Sequence, residues 1–208
     1  MVSSEHVVSR LILGEMKDIC IIPRPQNVSW TQIKECLMIS HESNRSKGIH
    51  MSHYLWSAEK IGEFVEESGV MFVALDGEKV VGTLGIKEKI GNYWFIKGRY
   101  AYLCFGSMLP DYRGYGVYKA LNKACEEYAA KNHLNVLVLD THCKNRHMQD
   151  ISKKGGYRFI RFFQSRNKDH YCVAMAKWLD SCPFSSFYCK LRYYSSWMIT
   201  LVKARCFR

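Results

Sequence analysis

The sequence predicts one α/β (α+β) domain in which helices flank a sheet. Its 208 residues, 48% of them hydrophobic, are enough for one sizeable core and too few for two ordinary domains. Asp76 and Gly77 separate two β-rich runs at 70–75 and 79–86, which is typical of a hairpin. A continuous apolar run at 134–139 has the length of a strand and predicts one that is covered on both faces.

The first third of the chain predicts one strand and two helices. A β-branched run at 19–23 ends in proline and predicts the first strand. Ser29 is a suitable cap for a helix over 30–43, in which apolar residues recur at helical spacing. A second helix is predicted over 58–67, and a Ser-Gly pair ends it.

The remaining elements complete the predicted domain, which spans 1–178. A strand over 99–108 is followed by Pro110 and by a helix over 114–132 with apolar spacings of four, three and four. After the apolar run at 134–139, the pattern predicts a short helix over 146–154 and two further strands over 157–163 and 170–176.

Residues 179–208 differ in kind from the rest. Pro183 suits a first helical turn, and the aromatic and apolar residues after it keep a spacing of three or four, with basic residues at the C-terminal end. This pattern predicts an amphipathic helix. It leaves open whether the helix packs on its own domain, docks on a partner or contacts a membrane surface, and it does not define the oligomeric state.

The positive charge of the chain is concentrated in its last third. Residues 1–140 hold 16 Lys and Arg against 16 Asp and Glu, whereas residues 141–208 hold 14 against 3. This asymmetry favours an anionic partner, which is nucleic acid, acidic lipid or a phosphorylated cofactor. The aromatic residues of this region follow strand or helix periodicity and are better explained as core, so no nucleic-acid partner is expected.

The chain carries no pattern of export or of a metal centre. No signal-peptide pattern is present at the N-terminus and no apolar stretch approaches about 18 residues, so an intracellular, cytoplasmic and soluble protein is expected. The nine cysteines are dispersed, odd in number and mostly within apolar segments, which predicts reduced, buried thiols. Their spacing does not suit zinc, and no metal is expected.

The segment 108–119 carries the strongest chemical signal. A strand ends there, Pro110 turns the chain, and a glycine-containing loop opens a helix, so that free backbone N–H groups and the helix dipole point at one spot. Gly114 and Gly116 allow the backbone to approach a pyrophosphate closely, and Arg113 supplies a positive charge. The loop is neither a Walker A motif nor a dinucleotide fingerprint, because Lys119 stands where the latter needs glycine.

The order of elements around this loop resembles the GNAT superfamily of acyl-coenzyme A-dependent N-acyltransferases. A strand, the loop, a helix and a buried strand are followed by Asn145 and then by Gly156 and Tyr157. The resemblance spans about 18–177 and is specific over 103–157. It implies a mixed, mostly antiparallel central sheet flanked by helices, acetyl-CoA as the cofactor, and transfer of the acetyl group to a primary amine by direct attack.

The resemblance also implies which residues meet the cofactor. The family writes its loop Gln/Arg-x-x-Gly-x-Gly/Ala, and Arg113, Gly116 and Tyr118 occupy the three fixed places. Tyr118 departs from the small residue of the family, and its ring either narrows the cofactor space or stacks on the cofactor. The implied cofactor-binding set is Gly106, Ser107, Met108, Arg113, Gly114, Tyr115, Gly116, Val117, Tyr118, Lys119 and Asn145.

The catalytic candidates are Asp140, His142 and Ser152. Many family members carry a Tyr seven residues after the Asn and use it to protonate the leaving thiolate, but this chain has Ser152 there. Either Ser152 holds a water, another group reaches in, or the thiolate leaves without a donor. Asp140 and His142 are two apart near the end of a strand, so they project from one face, and either one is a candidate base.

Two other functions and several acceptors stay open at this stage. The serine at position 152 favours a catalytically silent acyl-coenzyme A sensor as the first alternative, and a nucleic-acid module is the weaker second one. Cys104 and Cys143 are interpreted as packing residues and not as acyl carriers. The acceptor is expected to be a small-molecule amine such as an amino sugar, with a protein amino group as the alternative.

Overall fold

A computed structural model describes residues 9–13, 17–49, 51, 54–93, 96–165, 170–180 and 186–206. Within these ranges, the chain forms eight strands and five α-helices. In order they are β1 (Ser9–Leu13), β2 (Lys17–Pro23), α1 (Trp30–Arg45), α2 (Ala58–Glu66), β3 (Gly69–Asp76), β4 (Lys79–Tyr93), β5 (Ile96–Met108), α3 (Val117–Lys131), β6 (Val136–His142), α4 (Arg146–Lys154), β7 (Arg158–Gln164), β8 (Tyr171–Trp178) and α5 (Ser186–Cys206).

The strands form one sheet with the order β1-β2-β3-β4-β5-β6-β8-β7. Only the β5–β6 pair is parallel, and all other neighbours are antiparallel. The predicted fold class, a mixed and mostly antiparallel sheet flanked by helices, is therefore confirmed. The sequence analysis did not predict β1, which adds an edge strand by pairing Ser9 with Ile21 and Leu13 with Lys17.

Helices cover both faces of the sheet. On one face, Lys87 of β4 donates to the Phe64 carbonyl of α2 (2.7 Å). Thr83 lies on the same face of β4, four residues before Lys87. Its hydroxyl contacts Ser107, and Ser107 contacts Cys36 of α1. The opposite face meets α3, where Phe72 packs edge-on against Tyr128. The sheet is thus buried between α1 and α2 on one side and α3 on the other.

Local sequence accounts for the ends of these helices. Ser29 and Gln32 form a capping box at the start of α1, and Ser57 caps α2 by accepting from the Lys60 N–H. Ile33 and Leu37 of α1 are completely buried. Both helices were predicted from their apolar spacings, and α1 also from its Ser29 cap, and both are confirmed; the Ser57 cap of α2 was not predicted.

The β4–β5 hairpin is longer than predicted. The sequence analysis ended one strand at residue 86 and began the next at 99, whereas the strands reach Tyr93 and start at Ile96. The added segment mixes charged and apolar residues, and its Glu88 forms an ion pair with Arg99 across the two strands. Its strand structure follows from pairing with the neighbouring strand, which a hydrophobic pattern does not reveal.

The C-terminal helix α5 packs on β7. The Phe162 N–H donates to Ser196 Oγ (2.8 Å), Thr200 Oγ1 donates to the Phe162 carbonyl (3.2 Å), and the rings of Phe159 and Tyr193 lie 4.9 Å apart. Pro183, which the sequence analysis assigned to the first turn, lies outside the described residues. Along the described ranges, none of the helices is long and apolar enough to cross a membrane.

Candidate functional site

The site begins where two parallel strands separate. β5 and β6 pair only between Ala101–Leu103 and residues 137–139. Beyond Leu103, β5 continues along β4, and beyond residue 139, β6 continues along β8. The two diverging strand ends leave a V-shaped cleft in the sheet.

A β-bulge reshapes the β5 side of this cleft. Thr83 pairs with Ser107, and Gly85 pairs with Cys104. Between these two pairs, β4 advances by two residues and β5 by three, so β5 has one extra residue. The extra residue is Phe105, which has a positive φ of 50° and whose carbonyl accepts from Thr83 Oγ1 (2.7 Å). A bulge changes the direction of the main chain that follows it, here Gly106 to Met108.

His41 of α1 holds this main chain in place. Its Nδ1 accepts from the Asn44 side-chain amide (3.0 Å), so its proton lies on Nε2 and is donated to the Gly106 carbonyl (2.9 Å). Burial lowers the pKa of His41 and keeps the ring neutral. His41 was not among the predicted site residues, because a sequence pattern cannot show contact with a strand 65 residues away.

The loop before α3 presents uncapped backbone amides. Gly116 is the N-cap residue, with φ 81° and ψ 0°, and it makes no side-chain cap hydrogen bond. Gly114 also has a positive φ, of 85°. Both conformations favour glycine and leave the first-turn N–H groups open to an anion. Of the other loop residues, Val117 is buried while Tyr115 and Lys119 are exposed.

Arg113 fixes the loop to its surroundings. Its guanidinium donates to the Ser40 carbonyl (2.6 Å) and to the Met108 carbonyl (3.2 Å). The side chain therefore joins α1, the end of β5 and the loop. Ser107, also in the predicted set, is buried, with its hydroxyl 2.7 Å from Thr83 Oγ1, so its main chain is the part that borders the cleft.

Tyr118 packs its ring against Gly106. A Cβ added to that glycine would lie 3.3 Å from the Tyr118 hydroxyl and 3.4 Å from its ring. Burial raises the pKa of Tyr118, so the phenol stays protonated. The sequence analysis left open whether this ring narrows or lines the cofactor space, and the structure brings it to the strand that bends into the cleft.

Asn145 and Ser152 both use their side chains inside the protein. Asn145 Oδ1 accepts from the Met148 N–H (3.3 Å) as the cap of α4, and its amide donates to Thr141 Oγ1 (3.1 Å). Ser152 is buried, and its hydroxyl donates to the Met148 carbonyl (2.8 Å). With its hydrogen committed to that carbonyl, Ser152 is poorly placed to protonate a leaving group.

Asp140 directly follows the paired segment of β6, where the cleft begins, and lies in a polar cluster. Tyr102 donates its hydroxyl hydrogen to Asp140 Oδ2 (2.9 Å), and Lys89 Nζ lies 3.5 Å from the Tyr102 ring centroid. The carboxyl keeps an exposed edge, but the surrounding protein atoms reduce its hydration and raise its pKa. The Tyr102 hydrogen bond and the nearby charges of Lys89 and His170 oppose this rise.

His142 shares the face of Asp140 but is less suited to accept a proton. The Lys144 N–H donates to its Nδ1 (3.1 Å), so the lone pair of that nitrogen is occupied and the neutral ring carries its proton on Nε2. The ring is buried and stacks on His170 at 5.0 Å. Of the two predicted base candidates, Asp140 has the more favourable geometry.

Replacing Tyr102 by Phe tests the environment of Asp140. The change removes a hydrogen bond that stabilises the carboxylate, so the pKa of Asp140 rises further. A reaction that needs the carboxylate form gains rate as pH rises through this pKa. We therefore expect the acidic limb of the pH–rate profile to move to higher pH, and an unmoved limb would exclude Asp140 as the titrating group.

Comparison with known proteins gives one family match by sequence. Residues 30–157, more than half of the chain, match the model of the acetyltransferase (GNAT) family. The matched segment contains α1 through α4 and therefore the cleft, the glycine loop and Asp140. No curated relative matches the chain.

Several solved structures share the fold. An acetyltransferase from Streptococcus agalactiae matches with a TM-score of 0.60 at 19% identity, over 77% of this chain and 98% of its own. The ribosomal-protein-S18-alanine N-acetyltransferase from Escherichia coli matches with a TM-score of 0.59 at 13% identity, over 79% and 96%. An aminoglycoside 6'-acetyltransferase type Ii matches with a TM-score of 0.59 at 18% identity, over 78% and 99%.

Proposed function

Because this chain belongs to the GNAT acetyltransferase family, we propose that it transfers an acetyl group from acetyl-CoA to a primary amine by direct attack. The observation that carries the proposal is the cleft between β5 and β6, beside the uncapped, glycine-led start of α3. GNAT enzymes use acetyl-CoA as co-substrate. The start of α3 offers a site for its phosphates, and the adjacent cleft offers a channel for the rest of the molecule.

The diphosphate of acetyl-CoA binds the backbone amides between Gly114 and Lys119. Two glycines with positive φ let a phosphate approach the main chain without a Cβ in the way. The positive end of the α3 dipole and the Arg113 guanidinium add favourable charge. The pantetheine arm then follows the cleft past Gly106, whose main chain His41 holds in a fixed orientation.

Catalysis combines positioning with one proton acceptor. The amine nitrogen attacks the thioester carbonyl carbon, and the bulged main chain after Phe105 stabilises the oxyanion that forms. Asp140 removes the proton that the amine must lose, and its raised pKa makes it a stronger base than an ordinary carboxylate. The intermediate then collapses and expels the coenzyme A thiolate.

Tyr118 is the donor for that thiolate. Its hydroxyl lies against Gly106, on the strand that bends into the cleft, whereas the hydroxyl of Ser152 is bound to the Met148 carbonyl. In the family the corresponding loop position is small and a Tyr on the following helix acts as acid. This chain has its tyrosine at the loop position instead, so the proton reaches the sulfur from the α3 side of the cleft.

The pair Tyr118→Phe and Ser152→Ala tests this assignment. Removing the phenol hydroxyl leaves the ring in place, so acetyl-CoA affinity stays unchanged while kcat falls by about tenfold or more. Ser152→Ala leaves kcat within about twofold, because its hydroxyl bonds only its own helix. Steady-state kinetics of both variants measure these effects. A loss of kcat in Ser152→Ala but not in Tyr118→Phe would show that Ser152, and not Tyr118, is the acid.

The acceptor is a small-molecule amine, and a protein amino group is the second possibility. Structural relatives include an enzyme named for aminoglycosides and one named for a ribosomal-protein alanine, so this fold accommodates both kinds of amine. Asp140, Tyr102 and Lys89 border the acceptor side of the cleft and give it mixed polar and aromatic character.

Two measurements on the purified chain test the proposal. Acetyl-CoA raises the melting temperature in proportion to its occupancy, while an oligonucleotide at matched salt does not. A panel of amino sugars, other small amines and peptide N-termini, monitored by release of free thiol, then identifies the acceptor. Stabilisation without thiol release from any acceptor would favour a silent acyl-CoA-binding protein, and no stabilisation by acetyl-CoA would overturn the proposal.

A further inference from the structure

The outer face of α5 carries a stripe of exposed apolar and aromatic side chains. Its members are between 54% and 75% exposed, and their spacing of four, three, four and four confines them to about 80° of the helix circumference. They are Phe187, Leu191, Tyr194, Met198 and Val202. Together they form the outer stripe of α5.

The fold of the domain does not depend on this stripe. The inner face of α5 is a different set of residues, in which Cys189 and Ser196 are buried and Tyr193 and Thr200 contact β7. At 100° per residue, these residues lie on the side of the helix roughly opposite to the outer stripe. The helix is therefore docked by a mixed polar and apolar face while it presents an apolar face outward, a pattern associated with interaction surfaces.

The sequence of α5 carries charge of one sign, and its Lys190 and Arg192 are exposed. From residue 186 to 206 the chain has four basic residues and no acidic one. These are Lys190, Arg192, Lys203 and Arg205. Residues 141–208 as a whole hold 14 Lys and Arg against 3 Asp and Glu, whereas residues 1–140 are balanced. A surface that is both apolar and cationic is complementary to a partner surface that has an anionic outer layer and an apolar layer below it.

A pocket between α5 and the start of α4 adds a place for an anionic group. It has a volume of about 410 Å³, and Lys144, Arg146, Gln149 and Tyr193 are among the residues that line it. Trp197 also lines it and is 38% exposed, on the flank of the outer stripe. Through Trp197, the pocket thus connects the flank of the outer stripe to two further cations, Lys144 and Arg146.

We propose that the outer stripe of α5 binds the surface of an anionic lipid bilayer. Apolar side chains enter the boundary between headgroups and acyl chains, Tyr194 and Trp197 occupy the interfacial layer, and the cations meet lipid phosphates. The helix lies on the membrane, consistent with the finding that none of the described helices can cross one. Symmetric pairing of two copies through α5 would instead oppose two cationic helices.

Vesicle sedimentation of the full-length protein tests this surface. The probes are vesicles of phosphatidylcholine alone and of phosphatidylcholine with phosphatidylglycerol. We expect the anionic vesicles to bind at least about tenfold more protein, with binding weakened by salt and unaffected by millimolar inorganic phosphate. The proposal would be overturned if both vesicle types bound equal amounts of protein, or if inorganic phosphate alone displaced the protein from the anionic vesicles.

The variant L191E/M198E places two carboxylates in the outer stripe, and L55E/I90E is its matched control. Leu55 and Ile90 are even more exposed, at 82% and 79%, but lie outside α5. We expect the first variant to lose vesicle binding by about tenfold or more and the control to retain it. Thiol release in solution stays unchanged in L191E/M198E, which separates this test from that of the proposed function. Retained vesicle binding, or a dimer that only this variant abolishes, would overturn the proposal.

Discussion

Replacing Asp140 by Asn lowers kcat/KM by about 10²-fold to 10³-fold and leaves acetyl-CoA affinity unchanged. The amide keeps the shape of the side chain and its contact with Tyr102 but cannot take a proton from the amine. Steady-state kinetics and acetyl-CoA-dependent melting of the same preparation measure the two quantities separately.

The pH–rate profile of this variant gives an independent check. The wild-type rate increases as pH rises through the raised pKa of Asp140, because the carboxylate is the active form. In Asp140→Asn this limb disappears. The control is His142→Gln, which removes the neighbouring ring and is expected to keep the limb. If the acidic limb of the pH–rate profile remained in Asp140→Asn and disappeared in His142→Gln, His142 and not Asp140 would be the base.

Replacing Gly116 by Glu weakens acetyl-CoA binding by about 100-fold. A carboxylate about 5 Å from the diphosphate is repelled by roughly 3 kcal/mol at an effective dielectric constant of 20, which corresponds to about this factor. The new side chain also disturbs the αL backbone at the start of α3. Calorimetric titration with acetyl-CoA measures the effect directly.

Gly98→Glu is the matched control for this variant. Gly98 has nearly the same backbone, with φ 85° against 81°, and a Cβ at either glycine would meet no atom within 4 Å. Both variants therefore incur similar backbone strain and gain the same charge. Gly98 lies near the start of β5, far along the strand from the cleft. Equal loss of affinity in the two variants would mean that strain or net charge, and not the loop, controls binding.

The backbone of the site was predictable because its signals are local. A proline after a strand, two glycines and an apolar helix define the loop within residues 108–119, and the structure has the strand end, the turn and the helix in that order. The apolar run that predicted a strand covered on both faces lies largely in β6, beside the cleft. Such local patterns fix where the main chain turns and which faces are buried.

The side-chain environment of the site was not predictable because it depends on distant partners. Tyr102 and Asp140 are 38 residues apart, and His41 and Gly106 are 65 apart, so no spacing rule connects them. The bulge at Phe105 has a positive φ at a bulky residue, where a sequence pattern would look for glycine. The hydroxyl of Ser152 is turned into its own helix by a contact that only coordinates reveal.

A crystal structure with bound acetyl-CoA tests most directly how this protein holds its co-substrate. We expect diphosphate oxygens within hydrogen-bond distance of main-chain N–H groups between Gly114 and Lys119, at about 2.7–3.2 Å. The pantetheine arm is expected to run between β5 and β6. A cofactor bound elsewhere, with these amides facing solvent or paired within the protein, would contradict the account.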